Sequence, residues 1–282
     1  MIAPPGRPPP PDPTQAVAAL LKRRTGVQIA QGREELIASR LAPLLRQEGL
    51  TDLAQLVSAL ERAEAAERAR GPTLLDQVVD LLTTHETSFF RDPPVFAWMR
   101  QKAIPRLLAG RDPRQPLRVW SAACSTGQEA ISVAISVLED HPGQAVEVVG
   151  TDISALTVAE ASSGAYSVLA VNRGLPARTL LRWFERDGAG WRATAPLRAV
   201  TRFSVGNLVT DRPPGTGFDM VLLRNVLIYF DDADRQRALD SVASSLRPGG
   251  ILVLGTAEGL MPINGTLLRA EREDMVGYRV RT

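Results

Sequence analysis

The sequence predicts two folds in series: a small all-helical domain, then an α/β domain built on a parallel sheet. Three observations predict it. Between residues 14 and about 82, apolar residues recur at the three-and-four spacing of helices, and no strand-like alternation interrupts them. A polar, proline-containing break follows, Arg111-Asp112-Pro113-Arg114-Gln115-Pro116. Beyond it, short apolar runs alternate with helical stretches, the pattern of a sheet covered by helices on both faces.

Residues 1–13 are rich in proline and lack the apolar core of a secretory signal, so they read as a disordered or polyproline leader. The helical stripes are Val17, Leu20, Leu21, then Ile37, Leu41, Leu44, Leu45, then Leu53, Leu56, Val57, Leu60, then Leu74, Val78, Leu81, Leu82. Charge in this region is uneven. Between Leu20 and Arg46 stand six basic residues (Lys22, Arg23, Arg24, Arg33, Arg40, Arg46) and two acidic ones (Glu34, Glu35), a bias suited to an acidic partner. Arg33 and Arg40 are seven residues apart and are expected on one side of a helix, beside the stripe begun by Ile37 and Leu41. Residues 61–70 mix both signs and read as a solvated helix face.

In the second part, residues 117–122 form a first strand and 128–140 its helix. A second strand at 146–150 runs on to Asp152, a third ends just before Asn207-Leu208, and 218–223 and 251–254 are further buried strands. Leu246-Arg247-Pro248-Gly249-Gly250 is expected to end the intervening helix, with glycine as the stop. The alternation is interrupted between about 166 and 201, where Trp183 to Arg192 flank a glycine turn in the manner of a hairpin. The resulting domains are a leader at 1–13, a helical domain at 14–90 and an α/β domain at 91–282 with a small β insertion.

Composition excludes several classes. The 282 residues are 44% apolar but contain no run of 18 or more, which argues against a membrane span. A single cysteine, Cys124, allows no internal disulfide and fits a reducing cytoplasm. Two histidines and that cysteine make no metal cluster, and a net charge of +2 is too small to indicate nucleic acid. Gly127 stands alone after the first strand, without the G-x-G-x-x-G of NAD or FAD sites.

Ligands on such sheets bind at the carboxyl ends of the strands, and the chemically loaded residues fall there. Asp152, ending the second strand, suits a ribose diol or a helix N-cap. Glu129, in the first turn of a helix, suits a cation or the helix dipole. Gly127 permits a tight turn. Arg224-Asn225 closes an apolar strand, where a buried charge needs a ligand or an ion pair. Arg91 follows Phe89-Phe90, which should anchor its backbone, and its guanidinium can fork onto a carboxylate, with Thr87 and His85 in reach of the same ligand.

Four segments stand in order: Thr83-Thr84-His85-Glu86-Thr87-Ser88-Phe89-Phe90-Arg91, Val119-Trp120-Ser121-Ala122-Ala123-Cys124-Ser125-Thr126-Gly127-Gln128-Glu129, Gly150-Thr151-Asp152-Ile153 and Leu223-Arg224-Asn225-Val226-Leu227-Ile228-Tyr229-Phe230. Together they resemble the CheR-type chemotaxis receptor glutamate methyltransferases, over nearly the whole chain from about Thr14. The resemblance implies a Rossmann-like S-adenosylmethionine-dependent methyltransferase domain with a β insertion, preceded by an all-α domain. It implies a cytoplasmic enzyme of signal transduction that esterifies glutamates on chemoreceptor cytoplasmic helices and releases S-adenosylhomocysteine. It carries His85, Thr87, Arg91, Glu129, Asp152, Asn207, Leu208, Arg224 and Asn225 into the cofactor site and puts Arg91 and Tyr229 nearest the transferred methyl. The basic helices, with Arg33 and Arg40, become the docking surface for the receptor. Some family members tether a receptor C-terminal peptide through a longer Gly-x-Gly loop in the β insertion. Here Trp191-Arg192-Ala193 resumes a strand at once, so independence from that peptide is expected.

The chain departs from the family's usual pattern in three places. His85 stands where asparagine is usual, Ala130-Ile131 where Pro-Tyr is usual, and Gly255-Thr256-Ala257-Glu258 matches its segment loosely. The His85 and Ala130-Ile131 changes motivate one rival reading, a non-catalytic module that senses S-adenosylmethionine or its product. A second rival is a small-molecule methyltransferase, in which the basic helices would have no protein to grip.

Overall fold

The computed structural model describes residues 12–30, 32–65, 73–260, 267–271 and 277–280. The leader expected at 1–13 lies outside them except for Asp12 and Pro13, as does the 66–70 part of the mixed-charge segment. The chain divides into two compact units, residues 1–83 and 84–282.

The first unit contains α1 (Pro13–Thr25), α2 (Glu34–Gln47), α3 (Leu53–Ala65) and α4 (Leu74–Leu82). Local chemistry sets the ends. The Asp12 carboxylate accepts from the Thr14 amide ahead of α1, and Gly26 closes that helix in the left-handed conformation, φ 77°. Thr73 and Asp76 form a reciprocal capping box on α4. The apolar stripes meet in the interior, where Val17, Leu21, Leu41, Leu56, Leu60 and Val78 are buried. The expected basic face does not form as a pair. Arg33 is exposed and precedes α2 as its N-cap residue. Arg40 turns onto α4, where Nη1 donates to the carbonyls of Leu81, Leu82 and Thr83, each at 3.4 Å. Those are the carbonyls a helix end leaves without partners, and a cation there also faces the negative end of the dipole.

The second unit opens with α5 (Pro93–Trp98) and α6 (Ile104–Leu108), joined through a π-helical turn at Met99–Ala103. Then follow β1 (Leu117–Ala122), α7 (Gln128–Asp140), β2 (Val146–Asp152) and α8 (Ala155–Ser163). The insertion comprises β3 (Ala165–Tyr166), α9 (Val168–Asn172), α10 (Ala177–Trp183), β4 (Phe184–Asp187), β5 (Gly190–Ala193) and α11 (Ala195–Ala199). The chain returns to the main sheet as β6 (Thr201–Val205), β7 (Phe218–Leu223), α12 (Asp232–Ser245), β8 (Leu246–Leu254), β9 (Leu267–Glu271) and β10 (Gly277–Val280).

The main sheet has the order β6-β2-β1-β7-β8-β10-β9. The first five strands are parallel, and β10 and β9 add antiparallel at one edge. Adjacent side chains on β1 point to opposite faces. Ser121 reaches Glu129 at the start of α7, while Trp120 lines a cleft with Ser241 of α12, so these helices cover opposite faces. The β insertion is a separate three-stranded sheet, β3-β5-β4. Asp187 pairs with Gly190, leaving Gly188-Ala189 as a two-residue turn.

Two sequence boundaries shift. Segment 84–90 was expected in the helical domain but belongs to the second unit. Phe89 is buried in that unit's core, with ring centroids 5.1 Å from Tyr166 and 5.5 Å from Phe184. The Pro-Gly-Gly segment is not a helix stop either. Helix α12 ends at Ser245 and the chain is already extended at Leu246. Extension lets Arg247 Nε reach the buried carboxylate of Asp219 on β7 at 2.5 Å. Pairing jumps from Phe218↔Leu246 to Met220↔Ile251, so the proline and glycines form a bulge, with Gly249 at φ 74°.

Candidate functional site

In the sheet, β1 lies between β2 and β7. The chain steps outward from β1 through β2 to β6 and then crosses back to β7 on the other side of β1, and this reversal opens a crevice at the carboxyl ends of the strands. The turn from β1 into α7 is compressed. Ala123, Ser125 and Gly127 all have positive φ, at 65°, 50° and 89°. Two of these are not glycine, a strain that native folds keep where the backbone has a task. The turn is pinned on several sides. Cys124 N donates to Thr151 O at 2.9 Å, Ser125 N to Asp152 Oδ2 at 2.7 Å, and Ser125 Oγ to His85 O at 2.9 Å.

Gly127 is required, but its missing side chain does not open toward a ligand. A Cβ there would meet Ala161 Cβ and Phe203 Cζ, each at 3.0 Å. The position serves helix packing and the left-handed turn that starts α7.

Asp152 is 7% exposed and ends β2. It is not the N-cap of α8, a role that Ser154 takes by accepting from Thr157 N. Asp152 Oδ2 holds Ser125 N, and Oδ1 accepts from Ser154 N at 3.0 Å. Each carboxylate oxygen has two lone pairs, so the group retains acceptor capacity for a diol. Glu129 lies nearby in the first turn of α7, accepting from Ser121 Oγ at 2.7 Å. Burial, then the charges of Asp152 and Glu129, pushes the Cys124 thiol well above its ordinary pKa.

Arg224 is enclosed, its side chain 0% exposed. Nη1 donates to Glu129 Oε2 at 2.8 Å, and Nη2 to Asp92 Oδ2 at 2.6 Å and to the Arg91 carbonyl at 3.0 Å. Phe96 lies under the guanidinium, 5.8 Å from ring centroid to Cζ. Of the two outcomes open from sequence, ligand or ion pair, the ion pair is observed. The guanidinium ties the 91–92 segment to α7.

The remaining candidates converge on the same edge. Arg91 is half-buried and spends one donor on the Glu86 carbonyl at 2.8 Å, leaving others of the fork. Phe90 N donates to Ser132 Oγ at 3.0 Å, which brings His85, Thr87 and Arg91 to the β1–α7 side of the crevice. Asn207 and Leu208 follow β6 and line a cleft with Trp120, Thr151 and Gly206. The Asn207 carbonyl oxygen Oδ1 is turned inward to Val209 N at 2.8 Å. Asn225 is left-handed, φ 59°, and Tyr229 ends a 3-10 turn, Leu227–Tyr229. Sequence reasoning overlooked Asp92 as the second partner of Arg224 and gave no role to Ser125 or Glu258. Asp92 carried a signal, an acid beside Arg91 and ahead of two prolines. The departing pair Ala130-Ile131 lies in the first turns of α7 and is buried in the core.

The fold and these residues define a class. A Rossmann-like sheet with an acid ending β2, an acid opening α7 and a strained turn between them fits S-adenosylmethionine, whose ribose diol needs an acceptor and whose sulfonium and ammonium carry positive charge. This is an S-adenosylmethionine-dependent methyltransferase with an all-α domain in front. Residues 85–273 match the SAM binding domain of CheR methyltransferases and residues 14–83 their all-alpha domain. The chain belongs to the CheR methyltransferase family, and S-adenosylmethionine is its cofactor. It is 36% identical over 247 residues to chemotaxis protein methyltransferase Cher2 of Pseudomonas putida, covering 85% of this chain and 87% of that one. It is 35% identical over 247 residues to chemotaxis protein methyltransferase 1 of Pseudomonas aeruginosa, with 85% and 87% covered. With the chemotaxis protein methyltransferase of Vibrio parahaemolyticus it shares 35% over 246 residues, 85% and 86% of the two chains. Among the described residues no helix is long and apolar enough to cross a membrane.

Proposed function

We propose that this chain is a protein-glutamate O-methyltransferase of the cytoplasm. It esterifies glutamate side chains on chemoreceptor cytoplasmic helices and leaves S-adenosylhomocysteine. The relatives named above, all chemotaxis protein methyltransferases, support the substrate class. The observation that carries the chemistry is the buried Glu129–Arg224–Asp92 chain, which ties the backbone of Arg91 to an acid-lined cofactor edge. A guanidinium free to fork onto a carboxylate then stands beside a region suited to a cation.

When bound, the cofactor supplies an activated methyl group on a sulfonium. The protein binds and aligns. Asp152 accepts from the ribose diol, and Glu129 offsets positive charge. Asn207, Leu208 and Asn225 border the cofactor, together with His85 and Thr87. Arg91 orients the acceptor carboxylate, and Tyr229 lies beside the transferred methyl. A glutamate is already ionised near neutral pH, with an ordinary pKa of about 4.3, so no general base has to remove a proton. Catalysis comes from alignment and from stripping water off the carboxylate. Arg33 serves receptor docking, while Arg40 holds the end of α4. The two-residue Gly188-Ala189 turn supports recognition without a receptor C-terminal tether.

The test mixes purified protein, labelled S-adenosylmethionine and membranes containing chemoreceptors. Label in base-labile protein esters is expected. Cofactor binding without transfer would replace the proposal with the sensing module that His85 and Ala130-Ile131 suggest. Inert receptors with labelled metabolites would replace it with a small-molecule methyltransferase.

A further inference from the structure

We infer that Glu258 is a positioning residue for methyl transfer, a buried carboxylate that fixes the backbone presenting Asn225 and Tyr229. The inference rests on the reading that the carboxyl edge of the sheet holds the cofactor and the acceptor glutamate.

Glu258 is 0% exposed. Oε2 accepts from Asn225 N at 2.7 Å and Gly255 N at 2.9 Å, and Oε1 accepts from Val226 N at 2.7 Å and Leu227 N at 2.8 Å. All four donors are backbone amides, drawn from the ends of two neighbouring strands, β7 and β8. Burying a carboxylate is costly unless its oxygens are hydrogen-bonded, and bonds to a charged acceptor are the strong ones.

The donors converge because of the local backbone. Asn225 is left-handed at φ 59°, and Val226 follows at φ −127°, ψ −36°. Such an alternation aims successive N–H groups at one point and makes an anion-binding concavity. Here the chain fills that concavity from within. The carboxylate accounts for two other features. It holds a non-glycine residue in a costly conformation. It also requires Gly255, since a Cβ there would sit against Glu258 Oε2 and 3.2 Å from Asn225 N.

Leu227, whose amide is one of the four, opens the single turn that ends in Tyr229, and its side chain is buried. Both residues proposed to meet the cofactor and the methyl thus stand on a loop whose shape one side chain sets. Glutamine in its place has one acceptor oxygen, and its NH2 would face two N–H donors. The loop must then relax.

The experiment compares Glu258→Gln with Asp219→Asn. Asp219 is also a buried carboxylate of β7, at the opposite end, and is spent on Arg111, Arg247 and the Arg118 amide. Melting temperature, the dissociation constant for S-adenosylhomocysteine by calorimetry, and kcat are measured for both. Both variants should melt lower. Only Glu258→Gln should lose kcat by about 100-fold, the scale of an ångström-sized misplacement, and cofactor affinity by about tenfold, the scale of a lost charged contact. Normal affinity and kcat in a folded Glu258→Gln would overturn the inference. If that variant does not fold, Gly255→Ala, which displaces the carboxylate without removing its charge, should show the same kinetic loss. Wild-type affinity and kcat in folded Gly255→Ala would overturn it equally. Wild-type protein that neither binds S-adenosylhomocysteine nor transfers methyl would instead refute the functional reading beneath it.

Discussion

Replacing Arg224 with methionine tests the buried ion chain directly. The substitution keeps most of the apolar stem but removes a guanidinium that compensates two carboxylates and holds one backbone carbonyl. Glu129 is the better buried partner, its side chain 12% exposed against 37% for Asp92, so most of the loss falls on the Glu129 pair. Removing one member of a buried pair costs about 3–5 kcal/mol, and the partial exposure of Asp92 puts the total near the low end, about 3 kcal/mol. At about 2–4 °C per kcal/mol for a unit of this size, melting should fall by roughly 6–12 °C. The Arg224→Met/Glu129→Gln double variant should lose less than the single, because no uncompensated glutamate remains. Affinity for S-adenosylhomocysteine should also fall, since Glu129 and the Arg91 backbone lose their common anchor. The measurements are thermal melts of all three variants and calorimetric titration of each. Should Arg224→Met melt within about 2 °C of wild type and bind the product equally well, the clamp is wrong.

Four further outcomes are expected. Asp152→Ala should weaken S-adenosylhomocysteine binding at least about tenfold, from the loss of a charged hydrogen-bond partner worth about 1.5–3 kcal/mol; unchanged affinity by calorimetry removes Asp152 from the site. Arg33→Glu should slow receptor methylation most at low salt, because an exposed charge acts through screened attraction. Arg40→Glu should instead lower the melting temperature of the helical unit with little salt dependence, and identical salt profiles for the two variants would contradict that division. Titration with a receptor C-terminal peptide should give no saturable binding; micromolar binding lost on changing Gly188 and Gly190 would restore the tether.

The sequence by itself determined the two-domain order, the strand–helix alternation and the edge of the sheet where chemistry gathers. Those follow from local periodicity and from residue types at strand ends, which Asp152, Glu129 and the Arg224-Asn225 pair carry openly. It also showed that Arg224 needed a partner, because burial of a charge is legible from an apolar strand. Only the tertiary structure decided which partner. Asp92 and Glu129 lie 132 and 95 residues away along the chain and meet Arg224 through packing, not spacing. The same holds for Arg40, whose place on a helical stripe suggested an open basic face while the end of α4 supplied carbonyls to satisfy. Gly127 was legible as a tight turn, but that Ala161 and Phe203 stand where its Cβ would be is decided by packing. Glu258 gave no local sign at all, since its four donors belong to backbone that any sequence has. Only the fold brings their N–H groups to one point.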